Sequence, residues 1–568
     1  MRYIALATDY DGTLAHDGAV AGDVVGSLKR LRESGRKLIL VTGRELDELK
    51  GIFPEIELFD RVVAENGALL YNPASKESRT LADPPPAQLV ENLRRRGVPE
   101  VRSGAVIVAM WRPHEQEAIA AIHELGLECQ VIFNKDAVMI LPSGVNKMTG
   151  MMAALKELKI SPHNVLGVGD AENDHAFLGS CECAVAVANA IPALKGRADL
   201  VTRGSQGVGV EELINQLLEN DLREVSSRLT RHSILLGKAG KTSVTLNPFG
   251  AATLVCGHSG GGKSTLVSGV MERLIEKGYQ ICLVDPEGDF EEAEEFFATG
   301  DATRGPSLDH LESVMGDPDT QVVVNMVGVA VDDRAELFAR VLAIAHEHRI
   351  RTGRPHWLVV DEAHHMLPRE GTDQGIDLAG DYGSVILLTV HPAHVSPPIL
   401  KQINSVIVVG REPSTAISEF CKITGKEAPH LPDGDLAPGE VLLWTVDAGE
   451  PLRIQSEPAR MAHKRHKRKY AHGELEEARV FYFRGPGDRL NLRAQNLTAF
   501  VQIARGVDDD TWLLHLRRGD YSRWLREAIK DDALAEEAKM AEQDQSLSPA
   551  ESRSRIAQAI AERYTAAE

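Results

Sequence analysis

Tyr3-Ile4-Ala5-Leu6-Ala7-Thr8-Asp9-Tyr10-Asp11-Gly12-Thr13 opens the chain, and its reading decides the fold of the first half. Tyr3 to Ala7 is a short apolar run of the kind that forms a strand buried on both faces of a parallel sheet. Two carboxylates follow at its carboxyl end, where open α/β sheets place their ligands. The pattern recurs twice. Leu38-Ile39-Leu40-Val41 leads into Thr42-Gly43-Arg44, and Val165-Leu166-Gly167-Val168 leads into Gly169-Asp170-Ala171-Glu172-Asn173-Asp174. Three predicted strands thus deliver acidic or hydroxyl groups to one sheet edge. Lys147 lies ahead of an amphipathic helix, Met151 to Leu158, that leads into the third strand.

Hydrolysis of a phosphate ester needs a nucleophile, a proton donor for the leaving oxygen, neutralisation of the phosphoryl charge and, in many enzymes, a divalent metal. These residues supply each part. Asp9 is the candidate nucleophile, forming an aspartyl-phosphate. Asp11 is the candidate acid that protonates the leaving group and then activates water. Thr42 and Lys147 are placed to hold phosphoryl oxygens. Asp170 and Asp174, with Asp9, form an oxygen-donor set suited to Mg²⁺. A lone Asp-x-Asp-Gly-Thr also reads as a simple turn; the ordered series of motifs at strand ends is what favours chemistry.

The series Asp9/Asp11, Thr42, Lys147, Asp170/Asp174 resembles the four motifs of the haloacid-dehalogenase-like phosphatases, over about the first 215 residues. The resemblance implies that the Asp11 backbone carbonyl also ligates the metal. An Asp at this position is typical of the phosphatases of that superfamily and missing from its dehalogenases. Between the second and third motifs, residues 82–143 read as helix (Ala87 to Arg96), strand (Gly104 to Trp111), helix (Glu115 to Leu125) and two strands (Glu128 to Phe133, Ala137 to Ile140). Such an insert resembles the small α/β cap of the Cof-type subgroup, as do Glu65-Asn66-Gly67-Ala68 and Val185-Ala186-Val187-Ala188-Asn189-Ala190. That subgroup includes sugar-phosphate phosphatases. A cap excludes water and touches the leaving group, so substrate choice is expected there.

A second phosphate motif follows at Gly257-His258-Ser259-Gly260-Gly261-Gly262-Lys263-Ser264, between a short strand (Thr253 to Cys256) and a helix (Leu266 to Glu276). This is the P-loop pattern in the strand–loop–helix context that supports it. Gly257, Gly260, Gly261 and Gly262 let the backbone wrap the phosphates of ATP, and the helix start adds positive potential. Lys263 is expected at the β- and γ-phosphates, Ser264 on Mg²⁺ and Thr265 near the α-phosphate. Trp357-Leu358-Val359-Val360 then runs into Asp361-Glu362-Ala363-His364-His365, a Walker B pattern. Asp361 would hold the water shell of the metal, and Glu362 would polarise the attacking water.

Residues 233–458 resemble the HerA/FtsK-like ATPases through Leu235-Leu236-Gly237, the P-loop, Val284-Asp285-Pro286-Glu287-Gly288-Asp289, Asp361-Glu362-Ala363-His364 and Ser396-Pro397-Pro398-Ile399-Leu400. The resemblance implies a ring-shaped homo-oligomer that translocates DNA or protein. His391 stands where glutamine is common in the γ-phosphate sensor. Arg411, after Val406-Ile407-Val408-Val409, is a candidate trans-acting arginine.

The remaining features bound the answer. At 568 residues, the chain needs several cores. A net charge of −20 argues against polyanion binding by the whole molecule, while Lys464-Arg465-His466-Lys467-Arg468-Lys469 offers a local basic run for nucleic acid. Six cysteines without a Cys-x-x-Cys pair read as reduced thiols of a cytoplasmic protein. No apolar run is long enough to span a bilayer. The N-terminal apolar run is too short for a cleaved signal, and cleavage beyond Thr8 would remove the candidate nucleophile.

From about Arg479 onward the sequence reads as helical. Ala499 to Ala504, Trp512 to Arg518 and Tyr521 to Ile529 are amphipathic, with Phe500, Trp512, Leu516, Tyr521, Trp524 and Leu525 as their core. His515 and Arg517-Arg518-Gly519-Asp520 stand out there, though a docking module accounts for them. The last thirty residues, rich in Glu, Ala and Ser, read as a partly independent helix.

The expected architecture is multidomain α/β. A Rossmann-like phosphatase core occupies 1–220 with its cap at 82–143. A RecA-like P-loop ATPase occupies 230–458, a basic linker 459–478 and a small helical module 479–568. The expected function is Mg²⁺-dependent hydrolysis of a small phosphorylated metabolite, with a sugar phosphate as the candidate class, fused to an ATP-hydrolysing domain that regulates it or serves a second partner. A nucleic-acid translocase carrying a phosphatase and a nucleic-acid-end kinase–phosphatase are the alternatives.

Overall fold

The computed structural model describes residues 1–134, 136–226, 229–258, 261–288, 290, 295–370, 377–378, 382–431, 434–459, 480–487, 489–529, 531–544 and 546–564. The basic run at 464–469 lies outside them. The chain divides into one compact unit of 1–286 with 294–459, and another of 287–293 with 460–568.

In the first unit, an eight-stranded sheet runs in the order Leu200–Val201, Cys183–Ala186, Val165–Gly169, Ala5–Asp9, Lys37–Val41, Arg61–Ala64, Leu69–Asn72, Glu77–Thr80. The first six strands are parallel and the last two antiparallel. Ala5–Asp9 is central: the chain leaves it for Lys37–Val41 on one side and returns to Val165–Gly169 on the other. That reversal of direction opens a crevice at the carboxyl ends of the strands. The strand is buried throughout because helices cover both faces, including Gly22–Glu33 and Lys147–Leu158.

The cap has its own antiparallel sheet, in the order Arg102–Ser103, Val108–Trp111, Ala137–Pro142, Cys129–Asn134, with helices Ala87–Arg95 and Glu115–Glu124. Leu89, Leu93, Val108, Met110, Val138 and Ile140 form its separate core. The strand expected over Gly104 to Trp111 begins only at Val108, because residues 104–107 form a turn in which Gly104 donates to the Ile107 carbonyl and the next three N–H groups bond Glu65.

An eleven-stranded sheet follows, with Thr242–Leu246, Ile234–Ala239, Leu452–Ser456, Glu440–Thr445, Ser405–Val409, Ala252–Cys256, Ser384–Thr389, Trp357–Val360, Ile281–Asp285, Gln321–Asn325 and Phe296–Thr299 in spatial order. From Ser405–Val409 to Phe296–Thr299 its strands are parallel, and the P-loop strand Ala252–Cys256 sits inside that block. All six cysteines are free thiols. No helix among the described residues is long and apolar enough to cross a membrane.

In the second unit, the chain first forms a hairpin, Phe481–Phe483 with Leu492–Ala494, where helix was expected from Arg479 onward. Phe481-Tyr482-Phe483 are three aromatic residues in a row, a residue type that suits a strand's pleated surface. Helices Leu497–Gly506, Asp509–Arg518, Asp520–Glu527, Asp532–Gln543 and Pro549–Tyr564 follow. Phe500, Trp512, Leu516, Tyr521, Trp524 and Leu525 are buried together, and Trp512 stacks on Tyr521 with ring centroids 4.3 Å apart. The final helix is not separate, since Ile556, Ala559 and Ile560 enter the same core.

Candidate active sites

Each strand end of the first sheet brings one part of a single cluster. Asp9 is the last residue of Ala5–Asp9, Thr42 follows Lys37–Val41, and Asp170 follows Val165–Gly169. Lys147 is the first residue of its helix rather than lying ahead of it. The Asn146 side chain accepts from the Thr149 N–H and Thr149 bonds back to the Asn146 N–H, so the capping pair starts the helix at Lys147. Gly169 has no side chain because a Cβ would lie 2.6 Å from Asp174 Oδ2.

Lys147 Nζ donates to Asp9 Oδ1 at 2.5 Å and to Asp174 Oδ1 at 2.6 Å. The carboxylate oxygens of Asp9, Asp170 and Asp174 lie within 4.8 Å of one another, and all three residues are buried. Asp174 Oδ2 accepts the N–H groups of Asp170 and Ala171, and Thr13 Oγ1 donates to Asp170. Burial pushes the Asp9 carboxyl up to about 8, with Lys147 pulling the other way and the Asp174 and Asp170 carboxylates adding to the rise. Burial disfavours the charged form of Lys147, yet Asp174 and Asp9 outweigh it and raise its pKa. A converging set of hard oxygen donors fits Mg²⁺.

Asp11 stands apart from this trio. Arg44 holds it in a two-pronged pair, Nε to Oδ2 and Nη2 to Oδ1, both 2.7 Å, and also bonds Glu48. Thr42 Oγ1 accepts the Arg44 N–H, which leaves its own O–H to donate.

Arg44 and Glu65 also border the site, and sequence reasoning gave them no role. Glu65 is buried at positive φ and accepts the N–H groups of Ala105, Val106 and Ile107 at 2.8, 2.7 and 2.9 Å. It pins the cap to the core beside Thr42. The arginine directly after Thr42-Gly43 was the available sign for Arg44. Nothing local marks Glu65 as a clamp.

In the second sheet, Gly257 has φ +144°, and a Cβ there would lie 2.2 Å from the Val409 carbonyl. Gly262, at φ +99°, turns the loop into the helix Lys263–Glu276. Gly261 donates to the His258 carbonyl, while Ser259 and Gly260 lie outside the described residues. Lys263 Nζ donates to the Gly257 and His258 carbonyls at 2.9 and 3.2 Å. Ser264 and Thr265 occupy the first turn, whose backbone N–H groups suit a nucleotide phosphate.

Asp361 is buried after Trp357–Val360 and accepts the Glu362 N–H. Glu362, at φ +43°, faces His364 at 3.4 Å. Burial, then the neighbouring His365, His391 and His394 rings and Lys263, bring the His364 imidazole down to about 4. His391 donates its backbone N–H to Thr389 Oγ1, and its ring centroid is 5.1 Å from that of His394. Arg411 is exposed, and its backbone N–H donates to His258 Nδ1 at the base of the P-loop.

Comparison with known proteins agrees with this division. The haloacid dehalogenase-like hydrolase family matches residues 6–93 and 114–214, and the central domain of helicase HerA matches 225–343. Phosphoglycolate phosphatase 2 of Saccharolobus solfataricus is 30% identical over 235 residues, covering 38% of this chain and 94% of that protein. The phosphoglycolate phosphatase of Methanothermobacter thermautotrophicus is 29% identical over 222 residues, covering 38% and 98%. A haloacid dehalogenase-like hydrolase from Bacteroides thetaiotaomicron aligns with a TM-score of 0.33 at 19% identity, over 38% of this chain and 99% of that one. Residues 225–343, which carry the P-loop, are thus similar to the HerA central domain, and the chain belongs, through residues 6–214, to the haloacid dehalogenase-like hydrolases.

Proposed function

We propose that residues 1–220 form a Mg²⁺-dependent phosphatase that hydrolyses a small phosphate monoester through an aspartyl-phosphate on Asp9. The observation that carries this reading is the Lys147 ammonium bridging Asp9 and Asp174 with Asp170 in reach. Asp9 Oδ attacks phosphorus while the P–O bond to the leaving group breaks, and Asp11 gives that oxygen its proton. Water then attacks the aspartyl-phosphate, passing a proton back to Asp11. The Arg44 fork fixes the direction in which the Asp11 carboxyl group points. Lys147 and the free Thr42 O–H hold phosphoryl oxygens. Mg²⁺ held by Asp9, Asp170, Asp174 and the Asp11 carbonyl would neutralise charge on the phosphoryl group.

Asp9→Asn should lower phosphate release to background while leaving the fold intact. The test is a Mg²⁺-dependent panel of esters, headed by 2-phosphoglycolate, the substrate in the names of the relatives, with sugar phosphates beside it. Turnover retained in Asp9→Asn, or indifferent to Mg²⁺, refutes the mechanism.

In the same proposal, residues 230–458 bind and hydrolyse ATP. Gly257, Gly260, Gly261, Gly262, Lys263 and Thr265 would hold the phosphates, Ser264 and Asp361 would hold the nucleotide's Mg²⁺, and Glu362 would orient water. The match to the HerA central domain supports a second reading of this half, a ring-forming motor on nucleic acid. Stimulation of ATP hydrolysis by DNA in an oligomeric protein would favour it; a monomer indifferent to DNA would rule it out.

A further inference from the structure

The two catalytic sheets belong to one compact unit, and a buried polar cluster with no part in either site joins them. The phosphatase half contributes Arg2, His163, Asn164 and Glu182, and the ATPase half contributes Lys277, Tyr279, Gly353 and His356. Glu182 is at the centre. One carboxylate oxygen pairs with the Arg2 guanidinium. The other accepts from His163 Nδ1 at 2.8 Å and from the Tyr279 hydroxyl at 3.0 Å. Despite burial, His163 and Arg2 hold the Glu182 carboxyl down at about 2.

His163 Nε2 lies 2.6 Å from the Lys277 carbonyl. Both of its ring nitrogens therefore face oxygen atoms, one on each half. It lies nearly flat on Tyr279, with centroids 3.8 Å apart and planes 17° apart. The next ring, His356, is kept neutral, its pKa lowered by burial. His356 Nδ1 accepts the Gln280 N–H at 2.8 Å, which places its single proton on Nε2, 3.1 Å from Asn164 Oδ1. Asn164 Nδ2 in turn donates to the Arg2 and Gly353 carbonyls. A satisfied buried network of this kind fixes one register between the elements it joins.

The position of the cluster in the chain gives it consequence. Lys277 directly follows the P-loop helix Lys263–Glu276, whose first residue is the phosphate-binding lysine. Asn164 directly precedes the strand Val165–Gly169, which Asp170 follows. His163 and its neighbour therefore touch the far end of the nucleotide helix and the near end of the strand that carries a metal ligand. A helix of this length spans about 21 Å at 1.5 Å per residue, and a shift at its nucleotide end is delivered to its other end.

We propose that the His163–Glu182–Tyr279 cluster is the joint through which nucleotide at the P-loop sets turnover at the phosphatase site. The chain is then one nucleotide-controlled phosphatase rather than two tethered enzymes, a conclusion that rests on the two activities proposed above.

The test uses the full chain with p-nitrophenyl phosphate as ester and ATPγS as nucleotide. In wild type, ATPγS should change kcat/KM by at least about fivefold, the lower end of ordinary coupling between sites. Lys263→Ala should abolish that change, which separates it from direct competition at the phosphatase site. His163→Gln and the milder Tyr279→Phe should cut it to less than about twofold while keeping nucleotide-free turnover and ATPγS binding. Amide exchange over residues 162–170 gives a readout independent of turnover, expected to respond to ATPγS in wild type and not in His163→Gln. Unchanged exchange and turnover on adding ATPγS to wild type, or coupling that survives in both joint variants, overturns the proposal. Absent ester hydrolysis with a nucleotide-dependent exchange change would instead refute the phosphatase reading and leave the joint standing.

Discussion

Lys147→Met is the most revealing single perturbation of the phosphatase site. Lys147 is buried, and its ammonium is bonded to two carboxylates at 2.5 and 2.6 Å, with a third carboxylate in the same cluster. Methionine keeps the length and apolar stem and removes only the charge. Breaking a buried ion pair from one side costs about 3–5 kcal/mol, because the remaining charge loses its partner without regaining water. Proton uptake limits that cost. Burial already holds the Asp9 carboxyl above the usual carboxylate range, and losing Lys147, which pulls the other way, moves it further up. The variant also lacks a group to hold the phosphoryl oxygens, and kcat should fall by about 10²–10³-fold from that lost contact. In urea, with a slope of about 3 kcal/mol per M, the unfolding midpoint of this half should drop by roughly 1–1.5 M. Mg²⁺ should restore more stability to the variant than to wild type, since the ion supplies the charge that the lysine no longer does. A metal-free midpoint within about 0.3 M of wild type, or turnover within tenfold, would refute the electrostatic account of the cluster.

The other predictions concern the ATPase site and the joint. Lys263→Ala should abolish ATP hydrolysis, and Glu362→Gln should slow it by at least about 10²-fold while sparing ATP binding, as read by phosphate release and nucleotide titration; full hydrolysis in either variant refutes that residue's role. Glu182 sits at about 2 in the fold, below the ordinary carboxyl value near 4.3, so the stability it contributes is present above that value and lost as pH falls from there toward 2. The difference corresponds to about 3 kcal/mol. Urea midpoints measured from pH 6 down to 3 should therefore fall more steeply in wild type than in Glu182→Gln, and parallel curves would show that Glu182 is not the titrating group.

The chain was legible wherever information is local. Short β-branched runs ending in Asp9, Thr42 and Asp170 read as strands because a buried parallel strand needs apolar side chains on both faces. The P-loop was legible because glycine at 257 and 262 answers a backbone need that no other residue meets. The hairpin at 481–494 was misread as helix. Its strands are three residues each, too short for a period of two to stand out from a helical background.

What the sequence by itself determined is therefore which groups reach the carboxyl ends of the two sheets. Only the tertiary structure decided which groups meet. Lys147 is 138 residues from Asp9, Glu65 is 42 from Ile107 and His163 is 114 from Lys277. Spacing along the chain says nothing about such pairs, because the order of strands in a sheet, and not their order in sequence, brings their ends together. The ion pairs, the clamp on the cap and the partners of His163 all follow from that order.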